Sequence, residues 1–296
     1  MTERELSGSP SMLELYARAG AAMIPGASRL PFVAGSGREV PDLSLVRKEV
    51  TADRDRLAGY DRVCGFSLGE RLPVTYPHVL AFAMQLALMT NGSFPFAAIG
   101  LLHTANRITQ HRPIGTGEQI SLRVWATPIE SHPRGRQVSL RTEVRVADEL
   151  VWEEVSSYLR RGTGERTSSR PEREQVAVGE LPATATWKLR GDLGRRYGSV
   201  SGDLNPIHIH PLSARLFGFP SAIAHGMWTK ARCLAALESQ LPGALSVSVS
   251  FRKPIRLPAT VQFVEAVDSS GRLAFGVRDA VEGTAHLEGT LAPLGA

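Results

Sequence analysis

The chain has 296 residues, 43% of them hydrophobic and 21% charged, a composition that fits one large domain or two of ordinary size and excludes wholesale disorder. Its net charge of +5 comes from dispersed arginines, with lysine only at Lys48, Lys188, Lys230 and Lys253, and aromatics are 6%; such a surface attracts anions but lacks the basic stripe of a nucleic-acid binder. The two cysteines, Cys64 and Cys233, form neither a CxxC nor a zinc spacing and read as reduced, packed thiols.

The first residues, MTERELSGSP, are charged and polar, and SMLELYARAGAAMIPG is too mixed and too short to span a bilayer. A soluble cytoplasmic protein without a membrane partner is expected. The run 79-VLAFAMQLALM-89 reads as a buried helix. In 108-ITQHRPIGTGEQISLRVWA-126 a strand ends at Arg-Pro-Ile, a turn follows, and an alternating strand begins. The segments 137-QVSLRTEVRV-146 and 150-LVWEEVSSYL-159 alternate as well. The polar stretch 162-GTGERTSSRPEREQVAVGELP-182 reads as a linker between an N-terminal domain, 1–161, and a C-terminal domain, 183–296.

In the second part, 222-AIAHGMWTKARCLAALESQL-241 places Ile223, Met227, Ala231, Leu234, Leu237 and Leu241 on one helical face, and Pro242-Gly243 stops it. The stretch 245-LSVSVSFRKPIRLPATVQFVE-265 opens with strict alternation, Leu245, Val247, Val249 and Phe251 on one face and serines on the other. Two more alternating strands follow at 272–279 and 284–292. The two parts echo each other: Lys-Pro-Ile matches Arg-Pro-Ile, and 219-FPSAIAHG-226 matches 94-FPFAAIG-100. Each part reads as a helical segment followed by antiparallel strands, an α+β layout with a sheet around a long apolar helix.

The chemistry concentrates in 201-SGDLNPIHIHP-211. Asp203 and His208 are a carboxylate and an imidazole that can jointly hold a water, one accepting a proton while the other donates. Gly202 permits an unusual backbone angle, Pro206 stiffens the chain, and Asn205 can orient a water or a substrate oxygen. The plainer reading is a surface turn in which Asp203 caps a helix. A helix begins within 224-AHGMW-228, where the Gly226 amide, lacking an intrahelical partner, can stabilise an oxyanion; the plainer reading of Gly226 is close packing. His208 and His210 as a metal pair would need a third ligand at a familiar spacing, and the flanking prolines spoil a strand, so His210 reads as structural. His225 faces the site or packs beneath it; the residues leave both open. His78, His103 and His111 read as structural. Arg252 and Lys253 could meet a phosphate or simply be solvated.

The run 197-YGSVSGDLNPIHIHPLSARLFGF-219, continued by 219-FPSAIAHGM-227, resembles the signature of the MaoC-like hydratases, the (R)-specific enoyl-CoA hydratases and (3R)-hydroxyacyl-thioester dehydratases. With its two-part arrangement, the chain is similar to the long dehydratases of the double hot-dog subtype. The resemblance implies an antiparallel sheet around a central helix in each half, forming a pseudo-dimer. It implies that Asp203 and His208 are the catalytic pair, that Asn205 helps position the water, and that the Gly226 amide binds the thioester oxygen. Hydration would be syn, and no metal or other cofactor would be needed, because the thioester already acidifies the α-carbon. If Tyr76-Pro77 lies where Asn205-Pro206 lies, Val74 and Val79 replace the acid and the base, which implies one active site; the run Val79–Met89 would then suit a long acyl chain. The implied partner is an acyl-CoA or acyl-carrier-protein thioester, handled by a monomeric pseudo-dimer or a homodimer. Two other readings remain: an acyl-thioester-binding subunit without catalysis, and a hot-dog thioesterase.

Overall fold

The computed structural model describes residues 1–24, 26, 33–35, 37–162, 178–267 and 272–295. The chain runs through β1 (Thr2–Glu5), α1 (Met12–Ala21), β2 (Leu43–Val50), α2 (Arg54–Cys64), α3 (Tyr76–Met89), β3 (Leu102–Gln110), β4 (Ile120–Ala126), β5 (Glu130–His132), β6 (Gly135–Val146) and β7 (Glu149–Arg161). It continues through β8 (Ala183–Leu189), α4 (Leu193–Ser201), α5 (Pro206–Ile209), α6 (Pro211–Leu216), α7 (Gly226–Ala236), β9 (Leu245–Phe251), β10 (Ala259–Val267), β11 (Leu273–Asp279) and β12 (Ala285–Pro293). Two compact units form. The first takes the described residues of 1–51, 78–104 and 118–162; the second takes 52–77, 105–117 and the described residues from 178 onward.

In the first unit the strands lie in the order β1-β2-β4-β6-β7, with β5 beside β6 and the first residues of β3 beside β7. Apart from His78 and Gln85, α3 carries no polar side chain inside the unit, and a helix apolar all round is a buried one. Phe82, Ala83, Leu86 and Met89 share a core with Phe94, Phe96, Val138, Leu140 and Tyr158. The two polar residues meet one buried carboxylate. His78 Nδ1 donates to Glu154 Oε1 at 2.8 Å, and Gln85 Nε2 donates to Glu154 Oε2 at 2.9 Å and to Thr142 Oγ1 at 3.0 Å. A buried carboxylate without such donors would be costly.

In the second unit the order is β3-β9-β12-β11-β10-β8. The alternation read in β9 is realised: Leu245, Val247 and Val249 are buried and the serines between them are half-exposed. Helix α7 lies against β11 and β12 and buries Met227, Ala231 and Leu234. It also buries Lys230, whose Nζ donates to Asn106 Oδ1 at 2.5 Å and to Val247 O at 3.3 Å. Helices α2 and α4 lie together, with Arg56 Nε donating to Val200 O at 2.7 Å, and Trp228 of α7 donates through Nε1 to Val63 O at 3.0 Å.

Several sequence expectations change. The helix expected over 222–241 starts at Gly226 and ends at Ala236, with a short 3-10 turn at Glu238–Gln240. Residues 222–224 are extended because their backbone groups are committed elsewhere: Ile223 N donates to Ile207 O, Ala224 N to Ile255 O, and Leu257 N to Ala222 O. Of the linker at 162–182, residues 163–177 lie outside the described residues. The matching of the halves also shifts. Tyr76-Pro77 opens the long helix α3, whereas Asn205-Pro206 opens the four-residue α5. Likewise 94–100 follows α3, whereas 219–226 precedes α7. The element order aligns β2–α2–α3–β3 with β8–α4–α7–β9 instead. Helices α2 and α4 both have an aspartate at the N-cap position, Asp53 and Asp192, and both end at a left-handed glycine, Gly65 (φ 86°) and Gly202 (φ 85°). By that alignment Phe66, not Val74, stands where Asp203 stands.

One buried carboxyl on α2 has a consequence for stability. Asp61 is 4% exposed, and its Oδ1 has no hydrogen-bond partner among the described residues. Burial, helped by the nearby Glu238 carboxylate, pushes its pKa up to about 6. The folded chain therefore holds a proton there that the unfolded chain releases near pH 4, so stability falls as pH rises from about 4 to about 6 and then levels. Asp61→Asn is expected to gain about 1–3 kcal/mol at pH 8 and almost nothing at pH 4. Urea denaturation at the two pH values checks this; equal effects at both would show that Asp61 ionises normally.

Candidate active site

The site turn is built from two successive helix starts of the same design. After α4 the chain reverses at Gly202, whose N–H donates to Gly198 O at 2.9 Å. Asp203 Oδ1 then accepts from Asn205 N at 3.1 Å, an Asx turn. Asn205 is the N-cap of α5, accepting from Ile207 N at 3.4 Å, with Pro206 in the first helical position. His210 repeats the arrangement for α6: its Nδ1 accepts from Leu212 N at 3.1 Å and Pro211 follows. His210 is thus spent on a cap at the surface, away from a metal-pair role.

His208, on the single turn of α5, points inward and is buried. Its Nδ1 donates to Ile223 O at 2.8 Å. A carbonyl can only accept, so this contact places the proton on Nδ1 and leaves Nε2 with its lone pair. Burial holds the His208 pKa below its ordinary value, against the opposing pull of the Asp203 carboxylate and the Ile223 carbonyl. At neutral pH the ring is uncharged and able to accept a proton.

The structure adds a residue that the sequence left open. His225, the N-cap residue of α7, is 2% exposed and stacks on His208 with ring centroids 3.7 Å apart and planes at 28°. Its Nε2 donates to the Asp203 main-chain oxygen at 2.9 Å and lies 3.8 Å from Asp203 Oδ2. Burial, with the neighbouring His208, pushes its pKa down to about 3, so it stays uncharged. Its one sequence signal was its place directly before Gly226.

Gly226 is the first residue of α7, where an N–H has no intrahelical acceptor. A Cβ there would lie 3.0 Å from the Phe251 ring, so the ring approaches the bare backbone. Asp203, His208, His225 and Gly226 are therefore brought together, with Asn205 beside them but committed to its cap. Arg252 is drawn away from any phosphate role by an ion pair with Glu288, Nε to Oε2 at 2.6 Å; Lys253 is exposed.

Among the described residues, Asp203, His208 and His225 form the one trio able to hold a metal ion, each with a ligand atom within 4.8 Å of the others. Bonds of about 2.1 Å require ligand atoms roughly 3.5 Å apart. The trio would have to contract, and its hydrogen bond from His225 to the Asp203 carbonyl competes with coordination. As it stands, the arrangement fits a proton-transfer pair better than a cation. An uncharged imidazole nitrogen, a carboxylate and a helix-start amide can move a proton and stabilise a developing oxyanion.

The MaoC like domain family model matches residues 169–288. A curated relative, 3-hydroxyacyl-thioester dehydratase X of Mycobacterium tuberculosis, is 37% identical over 95% of this chain and 98% of its own. The crystal structure of HtdX of Mycobacterium tuberculosis superposes with a TM-score of 0.75 at 37% identity, covering 85% of this chain and 100% of that one. A further Mycobacterium tuberculosis protein, described as having a double hot-dog fold, matches at TM-score 0.54 and 11% identity over 88% and 96% of the two chains, a likeness of fold alone. The fold is that of a double hot-dog protein. The chain belongs to the MaoC-like dehydratase family.

Proposed function

We propose that the protein interconverts (3R)-hydroxyacyl and trans-2-enoyl thioesters by syn loss or addition of water, in the metabolism of fatty acids or related lipids. The observation that carries this is the buried His208, uncharged and with Nε2 free of its tautomer-fixing bond, beside Asp203 and stacked on His225, the residue directly before the Gly226 helix start. The thioester substrate is the one for which the Mycobacterium tuberculosis relative is named.

In dehydration, His208 Nε2 takes a proton from the carbon next to the thioester carbonyl. The charge passes to the carbonyl oxygen, which the Gly226 amide receives. The imidazolium returns the proton to the hydroxyl on the adjacent carbon, which leaves as water from the same face. Asp203 orients that hydroxyl and stabilises the imidazolium. Asn205 acts through the turn, holding Asp203 and His208 at their spacing. Hydration runs the same steps backward, and neither direction calls on a metal or redox group.

The two repeats, 1–161 and 183–296 joined by 162–182, are read as one ancestral unit present twice, on the parallel order of their elements. A cytoplasmic setting fits the two buried thiols, which burial keeps protonated, and no helix among the described residues is long and apolar enough to cross a membrane. A monomeric pseudo-dimer or a homodimer acting on a CoA or carrier-protein thioester, with no nucleic-acid partner, completes the reading.

The test is a chain-length series of trans-2-enoyl-CoA substrates, following loss of the enoyl absorbance and the chirality of the product. Turnover to the (3R)-alcohol is expected. Release of free CoA instead would identify a thioesterase, and binding without turnover at any length would identify a non-catalytic subunit.

A further inference from the structure

His225 is the candidate the geometry carries furthest beyond the acid–base pair. It is buried to 2% exposure, lies 3.8 Å from Asp203 Oδ2, and, although it stands at the N-cap position of α7, its side chain makes no capping bond there. Its ring has three neighbours in the site. The His208 ring lies on it at 3.7 Å, Tyr197 lies across it with centroids 4.8 Å apart at 53°, and the Asp203 carbonyl accepts from its Nε2 at 2.9 Å. The remaining ring nitrogen, Nδ1, is buried with no hydrogen-bond partner among the described residues. An unsatisfied buried nitrogen costs stability, so something other than stability accounts for a histidine rather than an apolar residue here.

We propose that His225 is a positioning residue: one uncharged imidazole that fixes the Asp203 main chain through its Nε2–H and the His208 ring through the stack, and ties both to the adjoining Gly226 amide. The inference rests on the reading of Asp203 and His208 as the proton-transfer pair. Asp203 and Gly226 are separated by 23 positions in the chain, and His225 adjoins the second while donating to the main chain of the first. With His225 in place, the group that moves the proton and the group that receives the oxyanion are set from one side chain. Misplacement by about 1 Å in such a site costs on the order of 10²-fold in rate.

The titratable groups facing the His225 ring are Asp203, His208 and the Tyr197 phenol. Burial pushes the pKa of the His225 ring itself down to about 3, so it adds no charge near neutral pH. Its stack keeps water from His208. Without it, the His208 pKa should move back up toward the ordinary value, and the acidic limb of the kcat/KM profile, where His208 becomes protonated, should move to higher pH.

Three variants separate the two contacts. His225→Gln keeps a donor that can reach the Asp203 carbonyl but loses the ring; His225→Phe keeps the ring but loses the donor; His225→Ala loses both. With an enoyl-CoA substrate, kcat is expected to fall about 10–100-fold in the alanine variant and less in each of the other two, with KM changed less than about threefold and the acidic limb moved upward in the glutamine and alanine variants. Circular dichroism and thermal melting confirm that each variant is folded; if the alanine variant is not, the glutamine and phenylalanine variants carry the test. Wild-type kcat in all folded variants, a change confined to KM, or an unmoved acidic limb would each overturn the positioning role. Absence of turnover in the wild-type protein would instead overturn the hydratase reading on which it rests.

Discussion

Replacing His208 by alanine is expected to lower kcat by about 10²–10⁴-fold while leaving the protein folded and KM nearly unchanged. The ring sits on the single turn of α5, and among the described residues its one directional bond is to Ile223 O. Losing that bond frees one carbonyl at the end of a segment that is still held by Ile207 and by 255–257, so the local backbone should persist. What is lost is the uncharged imidazole beside the Asp203 carboxylate whose Nε2 keeps its lone pair. Asp203→Asn should cost a comparable factor, because the amide cannot stabilise the imidazolium, while its side-chain oxygen can still accept from Asn205 N. Steady-state kinetics with a trans-2-enoyl-CoA, alongside circular dichroism, decide the matter. Near-normal turnover in either folded variant would remove that residue from the chemistry. The double variant should be little worse than the worse single one, since groups that act as a unit are not additive.

Gly226→Val should be almost as damaging, by a different physical route. Nothing titratable changes. A Cβ at this position already lies 3.0 Å from the Phe251 ring, and valine adds two branches to it. Either Phe251 moves at the end of β9 or the first turn of α7 shifts, and the second displaces the amide from the place where the thioester oxygen must sit. A loss of about 10²–10³-fold in kcat/KM is expected, the range for removing one oxyanion donor. The pH profile should keep its shape, in contrast to the variants of His225. Full activity in Gly226→Val would mean that the oxyanion is received elsewhere.

The sequence made the strongly periodic parts of this molecule readable. The β9 alternation and the apolar run that became α3 carry their burial in their residue types. Asp203, His208 and Gly226 stand out in the sequence because acids, imidazoles and bare amides are unusual together in so short a span. Other elements gave weaker signals for physical reasons. Helix α2 carries five charged residues in eleven, and its buried residues include an aspartate; β8 is an edge strand with little apolar surface to bury. The role of His225 depends on a contact across 22 positions with a main-chain oxygen, which no spacing rule contains. The matching of the two halves failed for a related reason. Tyr-Pro and Asn-Pro look alike as letters, whereas the features that correspond are a cap and a left-handed glycine at the ends of α2 and α4.

That pair of glycines bears on how the chain could change in evolution. After Gly202 the chain spends residues 203–225 on two cap-and-proline helices before its long helix begins, whereas after Gly65 it reaches its long helix across 66–75 alone. An aspartate substituted at the buried Phe66 would follow its glycine as Asp203 does, yet the shorter connection has no α5 to present an imidazole and no residue in the place of His225. Point substitution leaves a second centre out of reach; only an inserted segment could supply one. On the reading of one unit present twice, the difference between the halves is one of architecture and not of single side chains, and differences of that kind are not crossed one residue at a time.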